Sequence, residues 1–265
     1  MRPEACYAQF GWAALGRVAG LADWVDAVRP LATALAAAEA GGARRSGGTW
    51  YAGVNILPNG PDGAVPQGPP LPAALTGLVA QITGFAAWQW EPAQISVCYP
   101  GYPRPDPSER ESAFRFRRDR DAAHLDGLLP TGPERRRHLR EHHAFILGIP
   151  LVETDPEAAP LSVYEGSHRP VAETLSACFE GVAAEHWGEI DVTDAYHALR
   201  RRIFQAGRRK KLHARPGEAI LLHRHMLHGV APWRDGAAAP PEGRMIAYFR
   251  PDPAPGAPPD WWLGP

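Results

Sequence analysis

The chain has 265 residues, 45% hydrophobic and 22% charged, which is the balance of a folded domain and excludes a disordered chain. Lys and Arg number 28 against 29 for Asp and Glu, and a net charge of −1 argues against whole-protein attraction to nucleic acid or an anionic membrane. No stretch reaches the ~18–20 unbroken apolar residues of a spanning helix, and 29 prolines with 27 glycines exclude a bundle of long helices.

Residues 11–40 place Trp12, Leu15, Val18, Leu21, Val25 and Val28 at helical spacing, which predicts a helix kinked or divided at Pro30. A loop rich in Gly and Pro follows over 41–72, with a short strand at 51–57. Leu75, Leu78, Val79, Ile82 and Phe85 predict a second helix over 73–88, after which the period changes to two and 93–99 reads as a strand. Residues 102–120 are charged and contain Pro; they read as a solvated loop. Strands are predicted at 144–152, 161–164, 218–223 and 245–249, with helices at about 172–186 and 193–204, the second capped by oxygens of Asp191, Thr193 or Asp194. The Pro-rich residues 252–265 read as irregular. Helices first and many short strands afterwards predict a mainly β fold with flanking helices, a β-sandwich or jelly roll. The expected organisation is one domain over 1–265, with helical support over 1–92 and a jelly-roll core over 93–251.

The N-terminus has no basic segment followed by an apolar run, so no secretory signal is expected. Cys6, Cys98 and Cys178 are odd in number and far apart, and read as reduced thiols of a cytoplasmic protein.

The sharpest local feature is His124-Leu125-Asp126-Gly127. Residues two apart on an extended chain share a face, so an imidazole and a carboxylate converge on one point. A third ligand must come from elsewhere. His228, in Leu227-His228-Gly229, is the best candidate, but His223 and His225 lie in the same run and spacing alone leaves them open. Two His and one carboxylate leave open positions on a metal, which suits non-haem Fe(II). Further on, Arg244 opens an apolar strand on which Arg244, Ile246, Tyr248 and Arg250 share a face. An Arg at a barrel mouth can grip a carboxylate with two parallel hydrogen bonds. Arg250 lies six residues farther along, ~20 Å in extended chain, too far to replace Arg244. In 163–170 Ser167 reads as a helix N-cap and His168 as structural.

The ordered set of H-x-D, G-S-H, L-H-G and a strand-opening Arg resembles the phytanoyl-CoA dioxygenase-like family of Fe(II)/2-oxoglutarate-dependent oxygenases. The matching stretches are AHLDGLLP (123–130), HAFILGIPLVETDPEAAPLSVYEGSHRP (143–170), PGEAILLHRHMLHGVAPW (216–233) and GRMIAYFRP (243–251), preceded by AQISVCYPGYP (93–103). The resemblance implies a cupin-like double-stranded β-helix with iron ligands at His124, Asp126 and His228, with L-H-G selecting His228, and places Arg244 on the distal carboxylate of 2-oxoglutarate. It implies a dioxygenase that uses O2 to oxidise a C–H bond of a small molecule, releasing succinate and CO2. Related halogenases have a small residue in place of the carboxylate ligand, so Asp126 implies hydroxylation or a related oxidation. The chain departs from the pattern in the 16-residue gap from His228 to Arg244 and in Trp233, where an Asn-like residue is frequent; Trp233 reads as core. A long insertion at 234–243 is tolerated because loop closure grows slowly with length.

Gln94 is the expected polar contact to cosubstrate or substrate, with Tyr99, Arg104 and His143 as further candidates. Loops 101–120 and 131–142 are expected to set the substrate. The expected partners are a small-molecule substrate, with no nucleic acid and no membrane, in a monomer or homodimer. Two rival readings are a ligand-binding jelly roll without activity and a cupin-type metalloenzyme that does not use 2-oxoglutarate.

Overall fold

The computed structural model describes residues 1–38, 44–253 and 259–264. Its elements run α1 (Pro3–Phe10), β1 (Trp12–Leu15), α2 (Leu21–Ala38), β2 (Arg44–Arg45), β3 (Trp50–Gly53), α3 (Ala73–Thr83), β4 (Gln94–Cys98), α4 (Glu111–Arg120), β5 (Leu128–Thr131), β6 (Arg136–Leu139), β7 (Phe145–Pro150), β8 (Leu161–Tyr164), α5 (His168–Phe179), α6 (Thr193–Ala206), β9 (Arg209–Leu212), β10 (Ala219–His223), β11 (His228–Val230) and β12 (Arg244–Phe249). Short 3-10 turns lie at Ala184–Glu189 and Pro259–Leu263.

Seven strands form the major sheet in the order β1-β10-β7-β12-β4-β3-β2, every pairing antiparallel. The minor sheet is β11-β8-β9, and β5-β6 is a separate hairpin. Alternation on the major sheet sorts its side chains. Ile95, Val97, Leu147, Ile149, Met245 and Phe249 point outward and pack with Trp24, Val25, Val28, Leu75 and Val79 of α2 and α3. Ile146, Ile220, Leu222, Ile246 and Tyr248 point inward and meet Leu161, Val163 and Leu212 of the minor sheet. Two facing antiparallel sheets with helices outside are the jelly roll expected from the sequence. The hairpin, α5 and α6 close a third cluster around Leu139, Leu175, Phe179, Trp187 and Tyr196.

Several local expectations need correction. The first predicted helix begins only at Leu21; Trp12–Leu15 is β1, paired with β10 from Trp12↔Leu222 to Leu15↔Ala219. Its apolar residues fit either period, and pairing to an edge decides for the strand. Pro30 does not divide α2, because Asp26, whose carbonyl it leaves unbonded, and Pro30 itself both lie on the exposed face. The predicted positions 39–43 lie outside the described residues. The N-terminal 92 residues supply three strands as well as helices, so the sheet extends beyond the expected 93–251 core. Within 102–120, predicted as a loop, Glu111–Arg120 is the helix α4. It buries no residue, so it lacks an apolar periodicity, and is held instead by Arg117 on Asp106 and Glu109 and by Arg200 stacked 4.5 Å from the Phe116 ring. The strand predicted at 51–57 ends at Gly53 and the helix over 73–88 at Thr83, where Gly84 takes the left-handed conformation. No described helix is long and apolar enough to cross a membrane.

Candidate metal centre

The chain brings His124 and His228 together by backbone pairing. The His124 N–H donates to the His228 carbonyl at 2.8 Å and the His228 N–H to the His124 carbonyl at 3.1 Å, an antiparallel bridge at the first residue of β11, which also pairs with Val163 of β8. Two glycines make this approach possible. A Cβ on Gly229 would sit 2.1 Å from the Asp121 carbonyl oxygen, closer than any side chain tolerates. Gly127 has φ +84°, and a Cβ there would lie 2.4 Å from the Glu141 carbonyl oxygen, so only glycine turns the chain from Asp126 into β5. The motifs H-L-D-G and L-H-G thus encode backbone contact as well as side-chain chemistry.

Each imidazole is oriented by its own strand. Nδ1–H of His124 donates to the Ala122 carbonyl at 3.1 Å, and Nδ1–H of His228 to the Met226 carbonyl at 2.9 Å. Both Nε2 atoms face Asp126. His124 Nε2 lies 3.1 Å from Asp126 Oδ1 and His228 Nε2 lies 3.7 Å from Asp126 Oδ2. One ligand atom from each of the three residues falls within 4.8 Å of the others. Leu125 points the opposite way, its N–H bound by the Tyr196 hydroxyl at 3.0 Å.

Electrostatics fit a cation-binding donor set. Burial opposes the charge on Asp126, but Arg250, His228 and His124 outweigh it and hold the carboxyl well below the usual range. Burial lowers the His228 pKa to about 4, against the pull of Asp126, so its imidazole is neutral at pH 7 and its lone pair is available. Two imidazoles and one carboxylate on one side of a point are the donor set of non-haem iron sites with open positions. His223 and His225, the rivals by spacing, point elsewhere: His223 packs on Tyr7 and His168, and His225 on the Trp262 ring at 4.4 Å.

The cluster lies in a cavity of about 1100 Å³ between the sheets and the β5–β6 hairpin. Gln94 and Ser96 of β4, Tyr248 and Arg250 line it from the major sheet, and Arg137, Arg140 and His142 from the hairpin side. Gln94 is there as expected, though its Oε1 accepts from Arg250 at 2.9 Å. His143 lines the cavity too; burial works against its charge, but Asp252 and Glu141 raise its pKa to about 9. Tyr99 and Arg104 are not among the described lining residues; Tyr99 lies under the Arg44 guanidinium at 4.1 Å. Loop 131–142 contributes to the wall, whereas no described lining residue comes from 101–120.

Arg244 is not at a mouth. It is 5% exposed, deep between the sheets, where its Nη2 donates to the Tyr248 hydroxyl at 3.4 Å and Nη1 has no protein partner. It borders a space of about 20 Å³ with Thr154, Asp155 and His213, and Tyr248 and Leu161 border both this space and the large cavity. Cys98, opposite Arg244 in register, has its thiol pushed up to about 11 by burial and stays neutral beside it. Arg244 is absent from the lining of the cavity that holds the cluster, and the orphaned N–H of its buried guanidinium is open to an acceptor. Trp233 packs against Cys98, Tyr102 and Ala159, as core. Ser167 does not cap α5; its hydroxyl accepts from the Leu227 N–H at 2.9 Å and donates to the Met226 sulfur, bracing the turn before His228.

Sequence reasoning missed Arg250. Its Nε donates to Asp126 Oδ2 at 2.5 Å. The shared face with Arg244 was the available signal, but strand length measured from Arg244 directed attention away from the metal end.

No family model matches the chain, and no curated protein matches it significantly. Among solved structures, it is similar to the non-heme alpha ketoglutarate dependent carbocyclase SnoK from nogalamycin biosynthesis, at 17% identity over 94% of this chain and 83% of that one, with a TM-score of 0.52. EvdMO1 matches at 14% identity over 95% of this chain and 50% of its own length, with a TM-score of 0.50. The chain shares the fold of these structures. At this identity the likeness extends to the fold alone, and the reaction must be argued from the side chains.

Proposed function

We propose that the chain is an Fe(II)/2-oxoglutarate-dependent oxygenase that oxidises an unactivated C–H bond of a small molecule, with release of succinate and CO2. The observation that carries this reading is the convergence of His124, Asp126 and His228 within 4.8 Å in a large cavity. These residues would hold iron through two Nε2 atoms and one carboxylate oxygen. Bound there, Fe(II) supplies the activation of O2 and the oxidative decarboxylation of 2-oxoglutarate that spin-paired organic side chains do not perform.

The protein supplies the geometry. Arg244 binds the distal carboxylate of 2-oxoglutarate; its orphaned Nη1 acquires a charged acceptor, and the Tyr248 hydroxyl keeps Nη2 aimed. Gln94 gives a polar contact on the cavity side. Asp126 fills the position that a halogenase leaves open, which favours hydroxylation or a related oxidation. The matched stretches favour the phytanoyl-CoA dioxygenase-like branch. The jelly roll and its helices act as one catalytic unit, as a monomer or homodimer in the cytoplasm, where the three free cysteines stay reduced.

The test is anaerobic reconstitution with Fe(II), titration with 2-oxoglutarate followed by its charge-transfer absorption, then succinate release in air. Arg244→Lys cannot reproduce the planar fork and should weaken 2-oxoglutarate binding, with Arg244→Ala costing ~2–5 kcal/mol because a buried carboxylate loses its partner. Iron binding should survive both. Wild-type protein that binds iron but never 2-oxoglutarate would make this a cupin-type metalloenzyme of another kind.

A further inference from the structure

The end of β12 carries a guanidinium that the proposed reaction does not use. Arg250 follows Phe249 on the inward face and turns to the metal-type cluster. Its Nε donates to Asp126 Oδ2 at 2.5 Å and its Nη1 to Gln94 Oε1 at 2.9 Å. Its backbone N–H is held by the Glu91 carboxylate, and the Tyr248 ring lies 5.6 Å from its guanidinium carbon. Backbone, ring and amide thus fix the side chain, which is 20% exposed, so its contact with Asp126 is largely shielded from bulk water.

The two oxygens of Asp126 consequently have different surroundings. Oδ1 faces His124 Nε2 at 3.1 Å, while Oδ2 takes the Arg250 hydrogen bond and stays 3.7 Å from His228 Nε2. A carboxylate free to turn can bind a metal through one oxygen or both. A charge-assisted hydrogen bond on one oxygen opposes the two-oxygen mode and leaves a metal position open for other ligands.

We propose that Arg250 is a positioning residue for Asp126: it holds Oδ2 so that Oδ1 alone is presented to the metal, and Gln94 braces the guanidinium in that pose. The proposal rests on reading the His124, Asp126 and His228 cluster as a metal site.

Co(II) is the probe, because it reports affinity by titration and coordination by its visible spectrum without turnover. The full chain is compared with Arg250→Ala, Arg250→Lys and Gln94→Ala. Arg250→Ala should bind Co(II) ~10–100-fold more weakly with an altered spectrum. Guanidinium chloride at millimolar concentration should restore part of that affinity, Arg250→Lys should fall between Ala and wild type, and Gln94→Ala should shift in the same direction by less. Wild-type affinity and spectrum in Arg250→Ala overturns the proposal. So does a loss that neither guanidinium nor Lys recovers, which would make Arg250 a packing element. If Arg250→Ala does not fold, the other two variants decide: wild-type behaviour in both overturns it. A wild-type chain that binds no Co(II) would remove the metal-site reading itself and this inference with it, whereas binding that is indifferent to Arg250 removes the inference alone.

Discussion

Gly229→Ala perturbs the proposed metal centre without touching any of its three proposed ligands. Its new Cβ would lie 2.1 Å from the Asp121 carbonyl oxygen and 3.2 Å from the Ala123 Cα, both backbone atoms that cannot swing away. Since Cβ contacts under 3.0 Å essentially never occur, the 121–124 segment and β11 must separate by about 0.9 Å. Three backbone hydrogen bonds cross that gap: Val230 to Asp121 at 3.0 Å, His124 to His228 at 2.8 Å and His228 to His124 at 3.1 Å. Overpacking costs ~1–3 kcal/mol and each weakened bond up to ~1 kcal/mol, so the variant should lose ~2–5 kcal/mol. At ~2–4 °C per kcal/mol for a chain of this size, the melting temperature should fall by ~4–20 °C. The same separation moves His124 away from His228, so Co(II) affinity should drop as well. Urea denaturation and Co(II) titration measure the two effects. Gly77→Ala is the control: Gly77 lies in α3 with nothing within 4 Å of its Cβ position, and Ala there should be neutral or ~0.5–1 kcal/mol stabilising. A Gly229→Ala protein within ~0.5 kcal/mol of wild type, binding Co(II) normally, would refute the claim that backbone approach fixes the ligand geometry.

Two further outcomes are expected beside the Arg244 series. Arg209 donates to both oxygens of the fully buried Asp121 at 2.6 Å, with Ser162 on the same carboxylate at 2.5 Å. Arg209→Ala strands that carboxylate beside the His124 segment and should cost ~3 kcal/mol in urea denaturation; a loss below ~1 kcal/mol would mean that Ser162 and water suffice. His168, His223 and His225 all have pKa values lowered from 6.5, chiefly by burial. The folded state keeps them neutral where the unfolded chain takes up protons, so stability is full above about pH 6.5 and falls as the pH drops below it. His225→Phe, filling the same space against Trp262, should flatten that slope by up to ~1.4 kcal/mol per pH unit, one proton's worth; an unchanged slope would assign the acid sensitivity to other groups.

The fold class was legible because strands covered on both faces by different layers still alternate. In β4, Ile95 and Val97 go to the helices while Gln94 and Ser96 go to the cavity, and that period of two is written in the residues. The pair His124 and Asp126 was legible for the same reason, being local: two residues apart on extended chain. The glycines after Asp126 and His228 were visible too, although their cause, a carbonyl from another segment, was not.

Other features depended on pairings that no local pattern records. Trp12–Leu15 has no intrinsic reason to be a strand; the free edge of β10 makes it one. Helix α4 has no apolar face, because its order comes from ion pairs and stacking with residues near and far in the chain. His228, His223 and His225 are chemically equal in the sequence, and only the antiparallel bridge between 124 and 228 separates them in space. Arg244 and Arg250 share one strand face, yet the register against β4 puts the first beside Cys98 in the interior, and the side chain of the second bonds Asp126 in the cavity. The sequence by itself therefore determined the layers and the ligand types, which follow from periodicity and side-chain chemistry over a few residues. Tertiary structure alone decided which histidine completes the cluster and which arginine touches it, because those depend on strand register and backbone approach between segments about a hundred residues apart.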